Sequence, residues 1–305
     1  MRILITGING FIGQHLGRAL VKRKHQVLGL GRDKESAVKG IIAYYSGSIL
    51  DKRLIEKASY HVDVVVHLAA LTSHKDIVKK KFEALETNFL GTRNVLDVFS
   101  KSNQACKFLY PSTGKVYGKI VRLPISETHP TSPLNLLGKS KLITERLIDF
   151  YNDNTSTSLS ASQKELIILR IFNTYGIGQN ANFLIPTILA QLNLKKRKIV
   201  LGDIKAKRDY VYIDDLIRAF ICAIEKKGSK GLSTYNICSD EAVSASEIVE
   251  MISRIKGVKI KIKVNSDLLR SDEAKEEYGS YRKAKRELGW ESKISLEEGL
   301  RRLLI

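Results

Sequence analysis

Residues Met1–Gly13 read MRILITGINGFIG, and the interpretation of this stretch decides the fold. Arg2 to Thr6 is a short apolar run, Gly7, Gly10 and Gly13 follow at intervals of three, and an amphipathic segment runs from Gln14 to Lys24. That is the order of a buried strand, a tight turn and a helix. Glycine suits such a turn because one position must accept positive φ, one must let backbone N–H groups approach a phosphate, and one must let helix lie close on strand. The diphosphate of a dinucleotide then rests at the helix N-terminus, where unpaired N–H groups and the helix dipole favour negative charge. A ligand-free βα turn would look alike in isolation; its place directly after an N-terminal strand favours nucleotide binding.

Outward from this turn, Gln26 to Leu30 forms a second apolar strand ending at Gly31, Arg32 and Asp33. A strand end about twenty residues past the glycines carries a carboxylate for the adenosine ribose when the cofactor is NAD. Here that position is Gly31, with Arg32 next to it, which favours the 2′-phosphate of NADP; Asp33 leaves NAD open. A short strand follows from Ile41 to Tyr45, then a helix after Asp51 and the strongly apolar strand Val62 to Leu68, β-branched on both faces as a central parallel strand should be. Leu68, Ala69 and Ala70 leave room for a flat cofactor, or simply pack closely; His67 reads as a satisfied strand residue. One long helix is expected from Lys79 to Ser102, then a strand from Lys107 to Tyr110 leading into Pro111–Gly118, PSTGKVYG. Hydroxyls there either meet a ligand at the sheet's C-terminal end or cap the next turn. A helix starts near Asn135, a polar surface loop spans 152–163, and a strand runs from Leu166 to Ile171. A helix from Ile185 to Leu194, a strand near Val200, the motif RDYVYIDD (Arg208–Asp215) and an amphipathic helix from Leu296 to Leu304 complete the chain.

With 305 residues, 43% of them hydrophobic, the chain can bury a sizeable core in one large or two smaller units. No stretch is long and apolar enough to span a bilayer and no leader precedes the first strand, so a soluble, cytoplasmic protein with no membrane partner is expected. Cys106, Cys222 and Cys238 are few, odd in number and not spaced like a zinc site, so they read as reduced thiols, and no metal is expected. The net charge of +19 raises nucleic acid as a partner, but its basic runs, such as Lys79–Lys81 and Leu194–Lys198, lack interleaved aromatics. A solvated lysine-rich surface without nucleic acid is the better reading, and it would still attract a phosphorylated small substrate.

Taken in order, TGINGFIG, HLAA, ETNFLGTRNVL, STGKVYG, GKSK, RIFNTYG, RDYVYIDD and RELGW resemble the extended short-chain dehydrogenase/reductase family, whose members modify nucleotide sugars. The match covers nearly the whole chain, and its last third is most similar to the branch of GDP-mannose dehydratases and GDP-4-keto-6-deoxymannose reductases. The resemblance implies an α/β fold: a Rossmann doubly wound parallel sheet, residues 1–172 plus about 209–240, binding NADP with NAD possible. A smaller mixed α/β lobe, 173–208 and 241–305, would bind a nucleoside diphosphate sugar, GDP-linked by preference and UDP-linked as the alternative. Carried over by motif, Gly7, Asn9, Gly10, Phe11 and Ile12 hold the diphosphate and Arg32 meets the 2′-phosphate. Ser48 and Ile49 lie beside the adenine, and Leu68, Ala69, Ala70 and Asn88 line the path to the nicotinamide. Asn173, Arg208 and Arg270 contact the substrate diphosphate, to which a guanidinium fork is well matched. The family also implies a homodimer through paired helices, one of them around Lys139–Phe150.

The resemblance gives the catalytic roles to Thr113, which bonds the reacting hydroxyl, and to Lys141, which holds the nicotinamide ribose. The family's proton carrier is a tyrosine four residues before that lysine, and here the position is Leu137. Three explanations compete: another acid, with Lys115 or Tyr117 the nearest in sequence; a protein that binds cofactor and nucleotide sugar without turnover; or an engineered or degenerate copy. The dehydratases' acidic pair is replaced by Gly114 and Lys115, which ranks a 4-ketoreductase or C4 epimerase/dehydrogenase of surface-polysaccharide precursors above a dehydratase.

Overall fold

In the computed structural model, residues 1–72, 77, 79–155, 164–193, 197–228, 230–268 and 274–304 are described. Strand β1 (Arg2–Thr6) runs into helix α1 (Phe11–Lys22), then come β2 (Gln26–Gly31), β3 (Ala43–Ser46), α2 (Lys52–Ala58) and β4 (Val64–His67). Helix α3 (Lys81–Leu85) passes through a π-helical turn, Glu86–Leu90, into α4 (Gly91–Lys101), followed by β5 (Lys107–Thr113), α5 (Leu136–Thr155) and β6 (Glu165–Ile171). The remaining elements are β7 (Asn173–Tyr175), α6 (Leu184–Asn193), β8 (Lys198–Leu201), β9 (Lys207–Arg208), β10 (Tyr210–Tyr212), α7 (Ile213–Glu225) and β11 (Gly231–Ile237). After these come β12 (Val243–Ser244), α8 (Ala245–Lys256), β13 (Lys261–Val264), β14 (Glu276–Glu277), α9 (Arg282–Leu288) and α10 (Leu296–Leu304).

Seven strands form one parallel sheet in the order β11-β6-β5-β4-β1-β2-β3. The order reverses between β1 and β4, which opens a crevice above their C-terminal ends. Strand alternation divides the core into two layers: Ile3, Ile5, Val64 and Val66 pack with Leu16, Leu20 and Phe220 of α1 and α7, while Leu4 and Val65 pack with Ile55, Phe99 and Ile148 on the other face. Three small sheets lie outside the main one: β10 on β7, β9 between β12 and β14, and β13 on β8. Strand β11 returns to the main sheet beside β6.

Three elements differ from the sequence reading. The expected continuous helix 79–102 is interrupted by its π turn, where the Asn88 carbonyl accepts the hydroxyl of Thr92 at 2.6 Å and that of Thr144 at 3.4 Å. Strand β5 does not end at Tyr110 but runs on to Thr113. β4 stops pairing with β5 at Leu109, so the missing N–H of Pro111 breaks no ladder on that side, and β6 carries the register through Thr113↔Ile171. Helix α5 reaches Thr155 where a loop from 152 was expected; 156–163 lie outside the described residues.

Two lysines are buried at the N-terminal edge of the sheet. Lys107 Nζ donates to the carbonyls of Ala223, Ile224 and Lys226 at 2.9, 3.0 and 2.6 Å and pairs with Glu165 at 3.1 Å. Lys164 Nζ donates to the Phe99 and Ser102 carbonyls. Each satisfies the unpaired carbonyls at a helix C-terminus, where a cation is favoured.

Candidate functional site

The glycine turn is built for close approach. Gly7 has φ +71°, and a Cβ there would lie 2.7 Å from the Ala69 nitrogen. A Cβ on Gly13 would strike the carbonyl oxygens of Gly7 and Ile8. Gly10 is the N-cap of α1 and is exposed, and no side chain caps the helix. The glycines let the turn pack tightly on β4 and on itself, and with no side chain capping α1 its first-turn N–H groups leave a setting that fits a diphosphate. Phe11 and Ile12 are half-buried at its rim, with Leu68, Ala69 and Ala70 beside it at the end of β4.

Asn9 plays a second part in the turn. Its side chain donates to Asp33 Oδ2 at 2.7 Å and to the Glu35 carbonyl at 2.9 Å, and accepts from the Ala37 N–H at 2.9 Å. The amide is thus spent on holding the loop after β2, so only the Asn9 backbone is offered to a phosphate. That loop carries Arg32, which is exposed, and Asp33, whose carboxylate is engaged by Asn9. Ser48 Oγ accepts from the Leu50 N–H, and Ile49 is buried against Gly91 of α4.

Behind the crevice lies a polar relay. Thr92 gives its hydroxyl hydrogen to the Asn88 carbonyl, so it accepts from His67 Nε2 at 3.0 Å, and His67 Nδ1 accepts from the Thr6 hydroxyl at 2.7 Å. Burial, with Lys141 adding to it, pushes His67 down to about 3, and the ring is a neutral strut, as the sequence reading has it. Asn88 pairs with the backbone of Leu71 in both directions, at 2.8 and 2.9 Å. The π turn thus aims its amide at the loop leaving β4, a use of π turns common at functional sites.

At the C-terminal end of β5 stands Thr113, whose hydroxyl accepts from the Lys115 N–H at 3.3 Å. Lys141 of α5 is buried, with Nζ donating to the Pro111 carbonyl at 2.7 Å and lying 4.4 Å from the centre of the Tyr110 ring. Desolvation pushes its ammonium down to about 7, opposed by the charge of Glu145. Leu137 is half-buried one turn before Lys141 on the same helix face. Gly138 lets this turn sit on the Lys115 carbonyl, which a Cβ would strike.

Of the two substitute acids considered from sequence, Tyr117 is ruled out by its surroundings. Its hydroxyl donates to Asn236 Oδ1 at 2.6 Å and accepts from Arg170 at 3.1 Å, fully buried, and burial pushes it up to about 12 against the pull of Arg170. Arg170 also grips Glu145 of α5 through two nitrogens, at 2.7 to 3.3 Å. Lys115 instead reaches outward to Glu277 Oε2 at 2.7 Å, and Arg208 Nε lies 3.9 Å from the same oxygen. Asn173 donates its side-chain amide to the Asp209 carbonyl, next to Arg208. Thr113, Asn173 and Arg208 are therefore brought together; Arg270 lies outside the described residues.

Asp209 anchors this corner by accepting from the Ser239 N–H and hydroxyl at 2.7 and 2.8 Å and from the Gly279 N–H at 3.2 Å. Glu277, which joins the Thr113 turn to Arg208, was invisible in sequence because it sits 162 residues from Lys115 in an ordinary acidic run. No cluster of His, Cys, Asp or Glu able to hold a metal occurs among the described residues. None of their helices is long and apolar enough to cross a membrane.

The sequence profile of the GDP-mannose 4,6 dehydratase family matches residues 4–303. The chain is 29% identical to UDP-glucose 4-epimerase of Halalkalibacterium halodurans over 97% of its own length and 92% of that protein. It is 26% identical to GDP-6-deoxy-D-mannose reductase of Pseudomonas aeruginosa over 99% and 96% of the two chains. Among solved structures, UDP-glucuronic acid 4-epimerase of Bacillus cereus, in complex with UDP-glucuronic acid and NAD, superposes with a TM-score of 0.87 at 28% identity, over 99% of this chain and 97% of that one.

Proposed function

Since the chain belongs to the GDP-mannose 4,6 dehydratase family and has the extended short-chain dehydrogenase/reductase fold, we propose that it is an NAD(P)-linked 4-ketoreductase or C4 epimerase/dehydrogenase of nucleotide sugars, serving surface-polysaccharide precursors. The observation carrying this reading is that an uncapped glycine cradle, Thr113 and Lys141 converge on the C-terminal edge of one parallel sheet. A bound dinucleotide supplies or accepts the hydride. Gly7, Gly10, Phe11, Ile12 and the Asn9 backbone would hold its diphosphate, Ser48 and Ile49 would flank the adenine, and Leu68, Ala69, Ala70, Asn88 and Lys141 would line the nicotinamide side. Thr113 would hold the sugar hydroxyl while Asn173 and Arg208, with Arg270 from its late loop, would take the sugar's diphosphate. The division into a dinucleotide part (1–172 and about 209–240) and a sugar lobe (173–208 and 241–305) belongs to the same proposal.

NADP is preferred over NAD on this reading, because Arg32 is exposed where β2 ends and Asn9 draws the Asp33 carboxylate away from ribose hydroxyls. NAD is the second reading, supported by the cofactor of the Bacillus cereus epimerase. A GDP-sugar fits the reductase relative and a UDP-sugar fits the epimerases. Leu136, Ile143 and Phe150 of α5, seven apart and 39%, 47% and 63% exposed, form an apolar stripe that supports a homodimer; sedimentation at micromolar concentration checks this, and a monomer counts against it.

The test is incubation with NADPH or NADH and a panel of GDP-, UDP- and dTDP-linked keto sugars. Turnover is expected to fall at least ~10²-fold in Thr113→Val and Lys141→Met. The rival reading, a binding protein without turnover, is favoured by Leu137. It predicts thermal shifts by both ligands with no product from any sugar of the panel.

A further inference from the structure

We propose that the outer face of the β8–β13 pair docks on anionic lipid headgroups, a peripheral attachment independent of the activity proposed above and contrary to the sequence expectation of no membrane partner. The basic run that ends at Lys198 leads into β8, and a second one, KGVKIKIKV (Lys256–Val264), leads into β13. Alternation buries Ile199 and Leu201 in the core, packs Ile260 and Ile262 against it, and leaves Lys198, Val200, Lys259, Lys261 and Lys263 exposed. The strands are parallel in the register Lys198↔Lys261 and Val200↔Lys263, so three lysines and a valine share one face. Residues 197–201 and 256–264 contain no Asp or Glu, and among the described residues these lysines form no ion pair.

Lysines on an open strand edge ordinarily guard it against pairing with another chain. That accounts for β13 alone. The outer edge of β8 is already closed by Gln191 of α6, whose side chain donates to the Val200 carbonyl at 3.1 Å and accepts from the Val200 N–H at 2.8 Å. Lys198 therefore guards no edge, and it stands directly beside Lys261, a placement of like charges that costs stability. A layer of anions against this face offsets that repulsion.

The surroundings of the lysines select the anion. Neither strand carries an aromatic ring to stack on a nucleic-acid base, and a lysine ammonium is a point charge without the fork of arginine. The exposed apolar neighbours are aliphatic: Val200, Val264 and Leu268 are 37%, 49% and 54% exposed, and Leu268 packs on Gly202 just after β8. Ammonium groups flanked by short aliphatic side chains suit a bilayer interface, where charged headgroups meet acyl chains.

Flotation of the full chain with phosphatidylcholine vesicles, with or without about one-third phosphatidylserine, tests this. The protein is expected to float with the anionic vesicles at low salt and to be released at high salt, because salt screens such attraction. The triple variant Lys198→Gln, Lys261→Gln, Lys263→Gln should lose about 10²-fold in affinity for the anionic vesicles. Its thermal midpoint should equal or exceed that of the wild type, since a repulsive pair is removed, whereas lysines kept for folding would lower it. A control triple, Lys22→Gln, Lys57→Gln, Lys101→Gln, removes the same charge from exposed helix ends and should float as the wild type does. The proposal is overturned if the wild type stays unbound at low salt, or if the control loses as much affinity as the face variant. It is overturned equally if the face variant loses affinity for single-stranded RNA and keeps that for vesicles.

Discussion

At the N-terminal edge of the central sheet Lys107 donates to three helix-terminal carbonyls and pairs with Glu165, whereas at the C-terminal edge Lys141 has one carbonyl, that of Pro111, and the face of Tyr110. Both ammonium groups are buried. The first replaces its lost hydration by a carboxylate and the negative end of a helix, and the second does so only in part. Desolvation accordingly pushes Lys141 down to about 7. The difference teaches that one sheet uses the same residue in two ways: as a bolt at its N-terminal edge, and as a desolvated, thinly partnered charge at its C-terminal edge.

The largest effect is expected at the bolt. Lys107→Met leaves Glu165 buried without its cation, and chemical denaturation should show a loss of about 3–5 kcal/mol. Lys164→Met, which frees the Phe99 and Ser102 carbonyls but no buried acid partner, should lose about 1–3 kcal/mol. If both variants were as stable as the parent, the contrast between the two edges would be broken.

A smaller and differently shaped effect is expected from Lys141→Met. Because folding lowers the lysine's pKa, the unfolded chain binds more protons between about pH 7 and the unfolded value near 10.4. The burial penalty is full below pH 7, and this group's contribution to stability rises with pH through the window, by at most ~1.4 kcal/mol per pH unit. Removing the ammonium should therefore cost little or nothing at pH 6 and should flatten the alkaline side of the stability profile. Denaturation midpoints across that range give the answer, and a loss at pH 6 as large as that of Lys107→Met would erase the distinction.

The glycine turn was more legible in the sequence than the surroundings of Thr113 and Lys141. Gly7, Gly10 and Gly13 announce their backbone demands, because a Cβ on Gly7, already at a positive φ that L residues rarely adopt, would strike the Ala69 backbone, and one on Gly13 would strike the carbonyls of Gly7 and Ile8. The strands β1, β2 and β6 and the helix α10 lie where their apolar periodicities put them, to within a residue or so. The extension of β5 through Pro111 was hidden because the cost of a proline depends on where the neighbouring strand stops. The π turn at Glu86–Leu90 was hidden because a one-residue change of pitch leaves the apolar repeat almost intact. Tyr117 looked available from its place beside Thr113, yet three buried partners from distant segments, Asn236, Arg170 and through it Glu145, take it out of the cleft.

By itself the sequence determined the parallel sheet, the glycine turn between β1 and α1, and the absence of a phenol four residues before Lys141. Those features are local: they depend on spacing along the chain and on what one side chain can or cannot do. Only the tertiary structure decided that Asn9 serves the loop after β2, that Lys141 lacks the partners given to Lys107, and that Lys115 meets Glu277 beside Arg208. Charge pairing and desolvation depend on distance in space, and chain segments 162 residues apart acquire that distance only when the sheets are assembled.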